Sequence, residues 1–205
     1  MKKAILEARQ EVSKQEILNV AKRLFAEQGV RATSLARIAE AVGVTKAALY
    51  YYFSSKHEIV LEAVRANLRD FGADVVEPTA ALSASESFVE RLERKVARAE
   101  RDGPLDLRFF YTVLLEEIGE PDIEAVIREF WAEGRRELAA FVRAGQRSGE
   151  FHGDIDVDTV LNVLSGAIMG IDILWLNDPE QVDLRAAYGM ALEQTLAILA
   201  PGART

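Results

Sequence analysis

The sequence predicts an all-α protein, and three observations carry that prediction. Apolar residues recur at i, i+3, i+4 and i+7 in almost every segment, as at Ile17, Val20, Ala21, Leu24 and Phe25. Helix-start and helix-stop signals punctuate those segments: Ser three residues ahead of Glu, and Gly or Pro beyond the last periodic residue. No alternating strand pattern persists along the chain.

The elements follow in order. Ser13 and Glu16 form a capping box that opens the first helix, and Gly29 closes it. Leu35, Ile38, Ala39 and Val42 share one face of a short second helix that ends at Gly43, where a left-handed residue is needed. Thr45 caps a third helix over Lys46–Tyr52. Ser55 and Glu58 form a second capping box for a fourth helix, which runs to about Ala73 and fades at Glu77-Pro78. Pro78 to Ala84 reads as a linker. Ser83 and Glu86 open a helix carrying Phe88, Leu92 and Val96, which stops near Asp102-Gly103-Pro104. Leu105–Ile118 is a short apolar helix, and Asp122 to about Arg147 a long one, followed by a loop through Asp154. Val157–Leu176 is apolar on nearly all sides and predicts a helix buried all round. Its length also fits a membrane span, but Asp158, Asn162 and Asp172 make that reading costly. Leu184–Leu199 is the last helix.

Composition narrows the chemistry. The 205 residues, 49% of them hydrophobic, suffice for one sizeable helical domain and a small one. No cysteine is present, which excludes disulfides, thiolate catalysis and zinc-thiolate sites and suits a reducing cytoplasm. The N-terminus has no long apolar run and no secretory signal pattern. Formal net charge is −8, but it is unevenly spread. Residues 1–60 hold 10 Lys and Arg against 6 Asp and Glu, while residues 61–205 hold 15 against 27. A basic head on an acidic body can turn the head toward phosphate.

The stretch Thr33 to Lys56 has the pattern of a helix-turn-helix, whose second helix enters the DNA major groove. Ala47 and Ala48 are small enough to let backbone approach base edges and thymine methyls. Lys46 stands within reach of guanine or phosphate, and Thr45 can cap the helix while presenting its hydroxyl to phosphate. Tyr50 and Tyr51 lie along the groove wall, whereas Leu49, Tyr52 and Phe53 pack inward. Ser34 and Arg37 face the DNA backbone, and Lys56 closes the site.

The run from Ile17 to Ile59 resembles the DNA-binding domain of TetR-family transcriptional regulators. The resemblance rests on Ala21 to Gly29 (A-x-x-L-F-x-x-x-G), Thr33 to Val44 (T-S-x-x-x-I-A-x-x-x-G-V) and Thr45 to Lys56 (T-K-x-x-L-Y-Y-Y-F-x-S-K). It implies a helix-turn-helix domain over 11–56 and a helical effector-binding and dimerisation domain over 57–205. It also implies a homodimer that binds a palindromic double-stranded operator, most often as a repressor, and that a small-molecule effector releases. Carried over by position, the DNA contacts fall at Ser34, Arg37, Thr45, Lys46, Ala47, Tyr50, Tyr51 and Lys56. Ala36, Ala47 and Ala48 depart from members that place base-reading polar groups there, which shifts readout toward Lys46, methyl contacts and DNA shape. The dimer interface is expected at 157–176 and 184–199, which carry more apolar surface than one subunit can cover.

An effector cavity would be mostly apolar with few polar anchors. The candidates are Leu68, Phe88, Phe109, Phe110, Val113, Phe130, Trp131, Met169, Asp172 and Ile173. Asp172 interrupts an apolar run, so its carboxylate either anchors a cationic ligand or pairs with an Arg across a dimer, the second being favoured. Glu116 and Glu117 are expected to be solvated. Enzyme readings fare poorly. Two histidines and no cysteines leave no Glu-x-x-His pair or His-Glu-x-x-His, and no phosphate-binding glycine loop or nucleophile elbow is present. No metal, cofactor or membrane partner is expected. A DNA-binding architectural protein without an effector is the remaining rival.

Overall fold

Serine, threonine and aspartate open most of the helices, and glycine closes several. The computed structural model describes residues 12–72 and 83–201, and the described residues form nine helices and no strand. α1 (Lys14–Gln28) opens on Ser13, whose Oγ accepts from the Glu16 N–H while the Glu16 carboxylate accepts from the Ser13 N–H. It ends at Gly29, with φ +88°, a conformation side chains resist. α2 (Leu35–Val42) starts at the Ser34 cap and stops at left-handed Gly43. α3 (Lys46–Tyr52) is capped by Thr45.

α4 (Lys56–Gly72) departs from the expected capping box. Ser55 Oγ accepts from the Glu58 N–H at 3.1 Å, but the Glu58 carboxylate turns to Ser54 and takes both its hydroxyl and its N–H, each at 2.7 Å. Those bonds hold the Glu58 carboxyl below the usual range. The chain continues with α5 (Ala84–Asp102), α6 (Leu105–Glu116) and α7 (Pro121–Ser148). α8 (Val157–Asn177) is capped by Asp156 and α9 (Leu184–Leu199) by Asp183. The linker expected at 78–84 lies mostly outside the described residues, and Ala84 already belongs to α5. So does the expected end of α4 at Ala73 and beyond. α6 stops two residues before Ile118 because the chain turns at Gly119, φ +97°.

The chain divides into two units, Met1–Asn67 with Arg108–Val126, and Leu68–Leu107 with Ile127–Thr205. In the first, Ile17, Phe25, Ile38, Leu49, Phe53 and Ile59 are buried, and Phe109 stacks on Phe25 at 6.2 Å. In the second, Phe88, Phe141, Phe151, Leu161 and Leu199 lie in one core, with Phe88 and Phe141 rings 5.6 Å apart. The loop after α7 folds back on it. A Cβ on Gly145 would stand 2.2 Å from the Phe151 ring. The Glu150 carboxylate accepts from the Ala84 and Ser85 N–H groups at 3.1 and 3.0 Å, completing the start of α5 where the helix dipole favours an anion.

α8 is not buried all round. One face carries Leu161, Leu164 and Trp175 inward, while Val163, Ile173 and Leu174 stand exposed. Asp172, 2% accessible, also finds different partners from those expected. Lys95 Nζ lies 3.0 and 3.2 Å from its two oxygens, and the Tyr188 hydroxyl donates to it. The Lys95 ammonium sits 4.8 Å from the centre of the Tyr188 ring. Burial pushes the Lys95 ammonium down, against the opposing pull of the Asp172 charge. Within its own chain Asp172 is thus already paired with a Lys and a Tyr.

Two glycines of α7 give opposite expectations. Gly145→Ala drives a methyl into the Phe151 ring and lowers the unfolding free energy by about 2–3 kcal/mol. Gly134→Ala, with open space at its Cβ, raises it by about 0.5–1 kcal/mol. Urea unfolding followed by circular dichroism reads both.

Candidate nucleic-acid interface

The short helix α3 owes its pose to two buried anchors. Leu49 and Phe53 are almost wholly buried, one helical turn apart on one face. That burial turns Lys46, Ala47, Tyr50 and Tyr51 outward. Tyr51 is 86% accessible and Tyr50 49%, high values for aromatic side chains with no partner chain over them. Tyr51 stands edge-on to Tyr52 at 5.3 Å, and Lys46 Nζ hangs 5.9 Å from the centre of the Tyr50 ring. The Thr45 hydroxyl oxygen accepts from the Ala48 N–H at 3.1 Å. Ala48 is half-buried, so Ala47 alone of the pair faces fully outward.

The approach to α3 is equally defined. Gly43 (φ +80°, ψ +25°) makes the turn, and the Val44 N–H returns to the Ala39 carbonyl at 2.9 Å. Exposed Ser34 accepts from the Arg37 N–H, and the Arg37 guanidinium pairs with Glu40 at 3.1 Å in open solvent. Phosphate can displace that exposed partner at little cost.

Lys56 has a different setting. Its Nζ donates to the Val30 carbonyl at 2.9 Å, fixing the turn between α1 and α2. Glu116, at the end of α6, grips the same turn. Its carboxylate accepts from the Arg31 N–H at 3.0 Å, and its carbonyl accepts from the Arg31 guanidinium at 2.7 Å. A Cβ on Gly29 would meet that carboxylate at 2.6 Å. Glu116 is therefore not a solvated helix end. Sequence reasoning missed Arg31 and Glu116, because partners 85 positions apart leave no local pattern.

The effector candidates fall in both units. Phe109, Phe110 and Val113 are buried within the first unit. Leu68, Phe88 and Asp172 are buried in the second, where Phe130 lies 5.7 Å from Trp131 and 6.3 Å from Phe71. Met169 is half-buried, and Ile173 faces outward. Asn67 was not among them, yet it is buried on α4 with neither amide atom hydrogen-bonded among the described residues. A polar break in the apolar stripe of Ala63, Val64 and Leu68 was its only signal.

The exposed α3 face, the glycine turn and the basic head together form a helix-turn-helix. Residues 17–63 match the family described as bacterial regulatory proteins, tetR family. The HTH-type transcriptional repressor KstR2 of Rhodococcus jostii (strain RHA1) is 30% identical over 149 residues, 73% of this chain and 72% of the relative. This chain belongs to the tetR family. The family's HTH-type transcriptional regulator AcrR of Shigella flexneri is 26% identical over 179 residues, covering 84% of this chain and 82% of its own. Among solved structures, TylP, a tetR regulator from Streptomyces fradiae, superposes with a TM-score of 0.68 at 27% identity, covering 93% of this chain and 87% of that one. A Saccharomonospora viridis protein in complex with choline gives a TM-score of 0.75 at 26% identity, with coverages of 90% and 95%. As a tetR-family member, this chain is a DNA-binding transcriptional regulator.

Lys46→Ala removes one cation from the exposed α3 face. Duplex affinity should fall about tenfold, and the slope of log affinity against log salt should flatten by about one. Fluorescence anisotropy across a salt series measures both.

Proposed function

We propose that the protein is a cytoplasmic, non-enzymatic repressor that binds a palindromic operator as a homodimer and leaves it when a small-molecule effector binds the C-terminal body. The outward face of α3 carries this reading: a groove-sized helix presents Lys46, Ala47, Tyr50 and Tyr51 while Leu49 and Phe53 hold it from below. Ser34, Arg37 and Thr45 serve as backbone contacts, and Lys56 acts by setting the turn at Val30 as much as by its charge. The working division is a DNA-binding domain over 11–56 and an effector and dimer domain over 57–205.

Support for the homodimer comes from 157–176 and 184–199. Val163, Ile173 and Leu174 on α8, and Met190 and Ile198 on α9, are all more than half exposed. Gly166 and Gly170 lie between them on α8 with open space where a Cβ would stand, so a second helix can approach closely. For the effector, Leu68, Phe88, Phe130, Trp131 and Met169 supply apolar surface in the second unit. The choline complex of the Saccharomonospora viridis protein supports effector control. Release requires that the effector favour one arrangement of α4, which begins at Lys56.

Footprinting on the DNA flanking the protein's own gene tests the operator reading, with a two-fold symmetric protected site expected. Gly170→Leu should give monomers by sedimentation velocity and about a hundredfold weaker operator binding, since each half-site must then be bound alone. Monomeric wild-type protein with undiminished operator affinity would sink the dimer reading.

A further inference from the structure

His57 lies in the first turn of α4, one residue after Lys56 and shortly after the end of α3. Its Nε2 is 2.7 Å from Asp122 Oδ2, at the start of α7, and its Nδ1 is 4.0 Å from Glu120 Oε2. Glu117 adds a third negative charge from the same α6–α7 corner. All four residues belong to the first unit. The charged neighbours on its own helix are otherwise engaged, Lys56 with the Val30 carbonyl and Glu58 with Ser54. The two nearer carboxylates address opposite ring nitrogens. A metal ion would take one nitrogen and draw both carboxylates to that side, whereas an imidazolium offers a proton on each side. The arrangement therefore suits a charged histidine.

We propose that His57 is a proton-operated control on DNA affinity. Protonated, it clasps the start of α4 to Asp122 and Glu120 and offsets their charge. Neutral, it leaves three carboxylates uncompensated in the unit that holds the helix-turn-helix, where their charge opposes the approach of phosphate. Asp122 and its companions raise the imidazole pKa above its ordinary value, chiefly through the Asp122 hydrogen bond, and the same bond holds the Asp122 carboxyl low. The clasp is thus complete below the ordinary histidine pKa of about 6.5 and is lost as pH rises through the elevated value. Phosphate nearby raises that value further, so DNA binding takes up a proton. This inference rests on the DNA-binding reading and adds pH as a second input.

The chain contains only two histidines, His57 and His152, which makes the test clean. In a proton NMR titration of the free protein, the resonance that His57→Gln removes should titrate above about pH 6.5, and Asp122→Asn should move its midpoint downward. In anisotropy with a duplex taken from upstream of the protein's own gene, wild type should bind about three- to tenfold more tightly at pH 6.0 than at pH 8.5. His57→Gln should flatten that dependence, and His152→Gln should keep it. A midpoint that ignores Asp122→Asn, or a pH dependence shared by wild type and His57→Gln, overturns the proposal. A duplex that binds at neither pH counts against DNA binding itself, and the NMR titration, which needs no DNA, then decides the clasp.

Discussion

A seven-residue helix does not hold itself together in water, because nucleation consumes more entropy than two turns of hydrogen bonds return. α3 exists because Leu49 and Phe53 are buried beneath it and Thr45 satisfies its first turn. Everything functional about the head follows from that anchoring. The same burial that stabilises the helix fixes its rotation, and rotation decides which side chains look outward. Lys14 adds to the seat of α3 by placing its ammonium 5.0 Å from the centre of the Phe53 ring. The turn between α1 and α2 is held as firmly, through Lys56 on one side and Glu116 on the other.

The acidic body solves a different problem with similar means. Its polar residues are not scattered among apolar ones at random. Arg91 pairs with Glu137 at 2.8 Å, and Lys95 with Asp172, both on the face of α5 that also carries Phe88. A buried ion pair adds little net stability, but losing one partner leaves a costly naked charge. These pairs therefore constrain which faces of α5, α7 and α8 meet more than how tightly they do so. The exposed faces of α8 and α9 mix such pairs, Arg185 with Glu100 and Asp158 with Arg135, with apolar residues such as Val163, Ile173, Met190 and Ile198.

Much of the fold was legible in the sequence because it is written in short-range chemistry. Ser13 with Glu16, Ser83 with Glu86, Thr45 with Ala48 and the left-handed Gly43 all act within four residues. The helix-turn-helix is legible for the same reason. What was not legible depends on contacts between distant segments. Asp172 announced that it needed a partner, but nothing local pointed to Lys95, 77 positions away. The one-sided exposure of α8 was hidden because a helix apolar all round reads alike whether its own chain or another covers it. The Glu58 carboxylate took Ser54 rather than Ser55 as its partner, a choice between adjacent residues that spacing does not resolve.

The first unit is assembled from two stretches of chain separated by forty residues of the second. Phe109 fills the space against Phe25, and Glu116 clamps the turn at Arg31. A ribosome making this protein therefore releases the helix-turn-helix long before the aromatic ring that completes its interior has been synthesised. Until residue 126 has emerged, the nascent head lacks part of its own packing and the Arg31–Glu116 hydrogen bonds that steady it. Vectorial synthesis thus withholds a finished DNA-reading surface until well over half of the polypeptide exists.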